Sequence, residues 1–200
     1  MVAVLEAEFG GIVGRTTTDV DIVVDVDGVF SSPRVAAQRL VEVGYEPSRE
    51  TEASYRFVRG SDSVDVMAPD HLGERADIVT VPPGETIEAP GGRQALQRKR
   101  TVTVSAKDIT FEVPVPSLAG AIVMKARAAT SPSRTTRDHR DLARLLVLVP
   151  DPGSMREELT SRERGYLRRQ SVLTDPGHEA WVGIPAAADG RVALARLSTR

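Results

Sequence analysis

The apolar period of the chain changes at Pro116, from two residues before it to about 3.6 residues after it. A period of two is typical of strands, and a period near 3.6 is typical of helices. The 200 residues suffice for one large domain, or for a domain with a small appendage. We therefore expect an α/β (α+β) protein, with a mixed core over residues 1–115 and a helical region over residues 116–200.

The first part of the chain has the character of a mixed sheet. Pro33 begins a predicted helix, which Ser31 or Ser32 caps and Gly44 ends. The remaining signals are runs of apolar and β-branched residues bounded by turn residues. They predict strands over residues 21–26, 54–60, 63–69 and 76–81, and a hairpin over residues 100–115.

The second part of the chain predicts helices. Ser117 is a cap for a helix that runs to residue 129, and a second helix covers residues 137–149. A single charged helix is expected over residues 154–173. The last 27 or so residues contain prolines and glycines without a clear period, and we expect them to be irregular.

Composition excludes several classes of function. The absence of cysteine excludes disulfides, thiolate catalysis and cysteine zinc sites. His71, His139 and His178 lie far apart in the sequence, without the spacing of helical metal ligands. No run of about 18 apolar residues predicts a membrane span. The first residues carry acids where a signal peptide needs bases, so a cytoplasmic location and no membrane partner are expected.

Charge is divided unevenly, although the net charge is only −2. Residues 1–90 contain 7 basic and 17 acidic residues, whereas residues 91–170 contain 16 basic and 8 acidic residues. An acidic cluster suits cations and a basic surface suits phosphates. The alternative is a set of charged faces scattered over the surface.

Four aspartates alternate with apolar residues in the segment GRTTTDVDIVVDVDG, residues 14–28. On a strand, Asp19, Asp21, Asp25 and Asp27 share one face, with the Cα atoms of the first two roughly 6–7 Å apart. Their charges repel unless a cation lies between them, and Mg²⁺ prefers such oxygen ligands. Asp27 is about 20 Å from Asp21, so the second pair is expected to be solvated. The alternative is an edge strand with a solvated acidic face.

Asp65 strengthens the metal interpretation. It stands in SVDVM, with Val64 and Val66 on the opposite face of a second short strand. If the two strands pair, three carboxylates lie on one patch, which is enough for two Mg²⁺ ions that bridge a phosphate. Asp62 is a weaker candidate because it lies in the turn, and a solvent-facing role for Asp65 remains open.

The helical part contains a lysine at the centre of an apolar stripe. Lys125 is one of only three lysines, against 23 arginines, and its charge is costly there unless it is matched. Asp138 lies on the stripe of the next helix, with Asp141 at its flank, and a seven-residue loop joins the two helices. Antiparallel packing would bring Lys125 towards Asp138. The pair is either a buried structural ion pair or a phosphate-binding lysine that a carboxylate orients.

Taken together, these segments resemble the nucleotidyltransferases of the AbiEii/MenT toxin group, within the polymerase-β-like superfamily. The resemblance covers residues 10 to about 150, and its four elements stand in the family's order. The matching segments are RTTTDVD (15–21), SVDVM (63–67), PSLAGAIVMKARAA (116–129) and RDHRDLARLL (137–146). The short tRNA nucleotidyltransferases of the MenT type are the most similar branch.

The resemblance implies a mixed sheet with flanking helices and a Mg²⁺-dependent transfer of a nucleotide from an NTP, with release of pyrophosphate. It implies that Asp19 and Asp21 hold the metals, and that Asp65 completes the site and helps to deprotonate the acceptor hydroxyl. It further implies that Lys125 binds the triphosphate, with Asp138, supported by Asp141, positioning Lys125 or the nucleotide. The residues that could touch phosphate ahead of the metal pair are Arg15, Thr16, Thr17 and Thr18.

In the MenT branch the acceptor is the 3′ end of tRNA, where added nucleotides block aminoacylation. The basic stretch 91–170 suits such an RNA partner, and a toxin also implies a cognate antitoxin. The same chemistry on a small molecule or a protein side chain is an alternative, as is a catalytically silent nucleotide-binding module. The last of these is favoured by Gly10-Gly11, which stands eight residues before Asp19, closer than the glycine turn of the family.

Overall fold

The structure is a computed structural model that describes residues 1–10, 19–26, 32–49, 53–73, 76–106, 108–130 and 136–199. The protein is a mixed α and β chain with a mixed sheet and flanking helices, as its sequence predicts. Two compact units are present: the sheet unit, Arg15–Leu96, and the helical unit, Met1–Gly14 with Gln97–Arg200. The predicted boundary between residues 115 and 116 lies within the helical unit.

The elements are numbered along the chain. The helices are α1 (Val2–Glu8), α2 (Pro33–Glu42), α3 (Gly92–Gln97), α4 (Leu118–Ala128), α5 (Thr136–Leu146), α6 (Pro152–Glu158), α7 (Ser161–Arg168) and α8 (Ala187–Leu197). The strands are β1 (Asp19–Val23), β2 (Glu46–Pro47), β3 (Arg56–Arg59), β4 (Asp62–Pro69), β5 (Glu88–Ala89), β6 (Lys99–Ala106) and β7 (Ile109–Pro116). No helix among the described residues combines the length and the apolar character needed to cross a membrane.

Strand β4 organises the sheet unit. The strands follow the order β1-β4-β3-β2, and β5 pairs with the end of β4. The β1–β4 and β4–β5 pairs are parallel, whereas β3 is antiparallel to both β4 and β2. Because β4 alternates along its length, Val64 and Val66 turn to one face, where they form a small core with Phe57 and Ala37. Helix α2 covers that face by packing on β4.

Helix α2 has the predicted ends. Its N-cap is Ser32, whose hydroxyl accepts a hydrogen bond from Val35 N, and Pro33 occupies the first helical position. Gly44 follows the C-cap with a φ of +87°, which a residue without Cβ adopts without steric cost.

Strand β1 differs from its prediction in both length and burial. It ends at Val23, so Asp25 lies beyond the strand and is half-buried rather than part of a solvated strand face; Asp27 is outside the described residues. Val20 is 54% exposed and Ile22 is 36% exposed. Their face is not covered, because β1 is at the edge of the sheet and α2 packs on β4.

The strand predicted over residues 76–81 does not form. Val79 makes one isolated antiparallel bridge with Glu85, and the chain turns back on itself between them. Thr80 N bonds to Gly84 O and Thr86 N bonds to Ile78 O, so the backbone groups of this segment are satisfied locally rather than by the sheet.

The helical unit contains the predicted hairpin and the first two predicted helices. Strands β6 and β7 pair in a continuous antiparallel register from Lys99–Pro116 to Ala106–Ile109. Ser117 caps α4 by accepting from Gly120 N, as predicted. Helices α4 and α5 pack together around fully buried Ile122, Leu142 and Leu145.

The single helix predicted over residues 154–173 is two helices. Helix α6 ends at Glu158, and Thr160 takes an extended conformation as the N-cap of α7. Its hydroxyl accepts from Glu163 N, and the Glu163 carboxylate accepts from Thr160 N at 2.8 Å. This reciprocal capping box provides acceptors for backbone N–H groups that a continuous helix would satisfy internally. It starts a new helix at Ser161, although the helical period of the sequence continues through this point.

The C-terminal region is also more regular than predicted, because it forms helix α8. Gly190, which favoured an irregular segment, lies inside α8 for a packing reason. A Cβ atom at this position would be 2.8 Å from the Trp181 ring and from a Val147 methyl group. The glycine therefore permits close approach of the helix to buried Trp181, whose Nε1 donates to Leu173 O at 3.0 Å.

An ion pair links half-buried Arg98, the residue before β6, to the capping box. Arg98 donates to both carboxylate oxygens of Glu163 and also to Glu158 O. Burial acts to raise the pKa of Glu163, but the hydrogen bonds from Arg98 and Thr160 outweigh it, so the pKa lies below the ordinary value. A carboxylate with a lowered pKa in the folded state stabilises the fold in its ionised form.

Replacing Glu163 by Gln should lower the free energy of unfolding by about 2 kcal/mol at pH 7, because the charged acceptor of Arg98 is lost. The wild-type contribution should be complete above the ordinary pKa of 4.5 and disappear as the pH falls through the lowered pKa. Urea unfolding at several pH values measures the difference, with Glu157→Gln as control, since Glu157 is exposed on α6. A difference that stays constant into acid would contradict the assignment.

Candidate functional site

The residues singled out by the sequence fall into two groups, one in each unit. The strand cluster consists of Asp19, Asp21 and Asp65, with Arg56 and Ser63 beside them in the sheet unit. The helix cluster consists of Lys125, Asp138 and Asp141 in the helical unit.

The register of the sheet assembles the strand cluster. Asp19 pairs with Ser63 and Asp21 pairs with Asp65 in the parallel β1–β4 ladder, which confirms that the two aspartate strands are neighbours. Paired residues of adjacent strands point to the same face, about 5 Å apart. Asp21 and Asp65 are therefore side by side, and Asp19 is two residues away on the same face.

Hydrogen bonds distinguish the three carboxylates. Arg56 Nε donates to Asp65 Oδ1 at 2.8 Å and Arg56 Nη2 donates to Asp65 Oδ2 at 2.7 Å. Ser63 Oγ donates to Asp19 Oδ1 at 2.7 Å. Asp65 is only 8% exposed, whereas Asp21 is exposed to solvent. The carboxylates of the cluster therefore differ in environment: Asp65 is buried and paired with an arginine, whereas Asp21 is open to solvent.

Arg56 is the residue of this cluster that the sequence interpretation missed. The hydrogen bond to Asp65 raises the pKa of its guanidinium above the ordinary value, so it carries its charge at any pH at which the protein folds. A signal for it exists in the sequence. The turn Gly60-Ser61 has two residues, so residue 59 pairs with residue 62 across the hairpin. Three residues further along each strand, Arg56 pairs with Asp65.

The strand cluster fits a divalent cation in part. Asp19 and Asp21 offer hard oxygen atoms on one face, which is the donor type that Mg²⁺ prefers. Both oxygens of Asp65 accept from Arg56, so Asp65 is a partner of arginine here rather than a third ligand. Over the described residues, no three His, Cys, Asp or Glu side chains form a metal-binding group. The candidate metal ligands in this arrangement are thus Asp19 and Asp21.

In the helix cluster, the predicted approach of Lys125 to Asp138 is confirmed, but Asp141 is nearer. Lys125 Nζ lies 2.8 Å from Asp141 Oδ2 and 3.9 Å from Asp138 Oδ1. All three side chains are mostly buried, because the facing stripes of α4 and α5 enclose them. The charge on the apolar stripe is therefore matched by two carboxylates.

The remaining predicted phosphate contacts, Arg15 and Thr16 to Thr18, lie outside the described residues.

Comparison with known proteins adds no relative: no protein-family model matches the sequence, no curated protein matches it, and no solved structure matches the fold. The two clusters are thus the observations on which a functional assignment rests.

The Arg56–Asp65 pair should show energetic coupling of about 1.5–3 kcal/mol in a double-mutant cycle of Arg56→Gln and Asp65→Asn, because the bond is bidentate and Asp65 is buried. Urea unfolding of the four proteins measures it. The same two strands provide a control in Arg59 and Asp62, which are opposite each other but exposed. That pair should couple by less than about 0.5 kcal/mol. Equal coupling in both cycles would contradict the special role of Arg56.

Lys125 should couple more strongly to Asp141 than to Asp138, because its ammonium nitrogen lies within hydrogen-bond distance of Asp141 alone. We expect Lys125→Met combined with Asp141→Asn to give a coupling of about 1.5–3 kcal/mol, and with Asp138→Asn to give about 1 kcal/mol or less. Chemical unfolding of single and double variants provides both values. A larger coupling to Asp138 would reverse the assignment of the partner.

Proposed function

We propose that the protein is a Mg²⁺-dependent nucleotidyltransferase with a polymerase-β-like fold, of the AbiEii/MenT toxin type, which transfers a nucleotide from an NTP to the 3′ end of tRNA. The observation that carries the proposal is the register of β1 and β4. It sets Asp21 beside Asp65, with Asp19 two residues away, on one face of the sheet. This is the carboxylate arrangement expected from the sequence resemblance.

The proposal gives each member of the strand cluster a role. Asp19 and Asp21 hold Mg²⁺, whose charge stabilises the phosphates that react. The acceptor hydroxyl oxygen forms a bond to the α-phosphorus of the NTP, the bond to pyrophosphate breaks, and pyrophosphate leaves with that bonding pair. Asp65 takes the proton of the hydroxyl as general base. Arg56 orients the Asp65 carboxylate through its two hydrogen bonds.

The helix cluster has a phosphate-binding role in this scheme. An ammonium group has three N–H donors, so Lys125 can bond to Asp141 and still donate to a phosphate oxygen. Asp141 fixes the direction of the ammonium, and Asp138, at 3.9 Å, is the weaker partner that a phosphate oxygen can replace. Blocking the acceptor end of tRNA would stop aminoacylation and hence translation, as in a toxin with a cognate antitoxin.

The choice of RNA as acceptor is supported by charge. Residues 91–170 carry 16 basic and 8 acidic residues, and basic surfaces bind nucleic acid through backbone phosphates. Small molecules and protein side chains are the alternative acceptors for the same chemistry.

A second candidate function is a catalytically silent nucleotide-binding module. The observation that favours it is the bidentate bond of Arg56 to Asp65, which occupies both oxygens of the proposed general base. Such a module would bind NTP without releasing pyrophosphate.

The proposal is tested by incubating the protein with bulk tRNA, Mg²⁺ and each α-labelled NTP in turn. We expect label on tRNA from at least one NTP, and a loss of about 100-fold or more in Asp19→Asn, because a metal-binding carboxylate is removed. Asp62→Asn is the matched control, since Asp62 is exposed at the start of β4 and on the opposite face from Asp65.

Parallel incubations with total protein and with small amines identify other acceptors. Label in one of those pools instead of tRNA would support nucleotide transfer and assign a different acceptor. NTP binding without labelled product or pyrophosphate in any incubation would favour the silent module and overturn the enzymatic proposal.

A further inference from the structure

The geometry of the helical unit points to a second anion site, and we propose that it binds a phosphate monoester. A cavity of about 370 Å³ lies among α5, the end of α7 and the turns that follow α7. We call it the histidine cavity. Its polar wall consists of Thr136, His139, Arg169, Gln170 and His178. No wall residue belongs to the strand cluster or the helix cluster, so this proposal is independent of the proposed function.

The two histidines lie next to each other although they are 39 positions apart in the sequence. Their ring centroids are 5.7 Å apart and their planes meet at 84°. Ala180 N donates to His178 Nδ1 at 3.2 Å, so in the neutral ring the proton must reside on Nε2. His178 therefore presents an N–H donor from its remaining nitrogen. A metal would need a lone pair there, so this tautomer favours an anion.

Arg169 supplies a permanent positive charge to the same wall. Its guanidinium carbon lies 6.0 Å from the centre of the Tyr166 ring, and within the described residues it forms no ion pair with a carboxylate. Guanidinium groups bind phosphate oxygens with two parallel hydrogen bonds. The acid nearest in sequence to His178 is Glu179, which accepts from Thr136 Oγ1 at 3.0 Å and is not part of the wall.

The wall chemistry and the size of the cavity select the ligand class. Gln170 already donates to Ala126 O and Tyr166 O, whereas Arg169 and His178 contribute N–H groups to the same wall. Such donors suit a tetrahedral oxyanion with several acceptor oxygens. Ala129 and Val172 complete the wall with apolar surface, and the volume is that of small-molecule sites, larger than inorganic phosphate requires. A phosphate attached to an organic group fits both features, because the phosphate accepts from the N–H groups and the organic group occupies the remaining volume. Its source is either a free phosphorylated metabolite or the phosphorylated terminus of an RNA strand.

The test is calorimetric titration of the full chain with AMP, inorganic phosphate and adenosine, in EDTA so that the proposed metal site is not loaded. AMP should bind, inorganic phosphate should bind more weakly, and adenosine should not bind measurably. Arg169→Gln and His178→Gln should each weaken AMP binding about tenfold or more, because each removes a donor to a charged acceptor. The neighbouring Arg168→Gln, which removes an arginine bonded to Ser198 O, should leave it unchanged.

Two further variants separate this site from the proposed catalytic one. Glu179→Gln should leave AMP binding equal or tighter, because a negative charge near the cavity is removed. Asp19→Asn should retain AMP binding whether or not nucleotide transfer fails. Oligoribonucleotides with a 5′-phosphate or a 5′-hydroxyl then identify the source. Competition by the phosphorylated strand alone assigns an RNA terminus, and competition by neither assigns a metabolite.

Three results would overturn the proposal. The first is no binding of AMP or phosphate by the wild type at about 10 mM, which is weaker than any useful site. The second is unchanged binding in both Arg169→Gln and His178→Gln, with urea unfolding showing that each is folded. The third is loss of AMP binding in Asp19→Asn together with its retention in Arg169→Gln, which would place the nucleotide at the strand cluster instead.

Discussion

The sheet unit depends on the position of β4 between its neighbours. Its backbone pairs with β1 on one edge, with β3 on the other and with β5 near its end, while its alternate side chains serve two purposes. Val64 and Val66 form the small core under α2, and Asp65 between them faces the opposite side. A shift of one residue in this register would expose the valines and bury the carboxylate without a partner. The same register therefore fixes the core and the candidate site.

Charge compensation is the second constraint common to both units. A buried carboxylate or ammonium is tolerated only when it is paired and hydrogen-bonded. Arg56 fulfils this requirement for Asp65, Asp141 for Lys125, and Arg98 for Glu163. Only Asp21 in the strand cluster combines an exposed carboxylate with a place beside another acid. An incoming cation would therefore break the fewest protein contacts by binding Asp21.

The two proposals concern anions at different places and use different chemistry. In the strand cluster, acids require a metal before phosphate can approach, because carboxylates and phosphates repel. In the histidine cavity, a phosphate could bind without a metal, because a guanidinium and an imidazole N–H belong to one wall. A chain with both features would respond to phosphorylated ligands in two ways, one dependent on Mg²⁺ and one independent of it.

The sequence by itself determined the elements whose signals are local. The caps at Ser32 and Ser117, the β6–β7 hairpin and the facing stripes that bring Lys125 to Asp138 follow from side-chain period and capping chemistry. It did not determine where a helical period is interrupted, because the capping box at Thr160 overrides it, nor that Gly190 lies within α8.

Only the tertiary structure decided which groups meet where no local signal fixes the pairing. It exposed Val20 and Ile22 by leaving β1 at the edge, and it placed Lys125 nearer to Asp141 than to Asp138. It also brought His139 against His178. Such contacts depend on register and packing between segments distant in the chain. The period of a segment records which way its side chains face, but not which partner stands opposite.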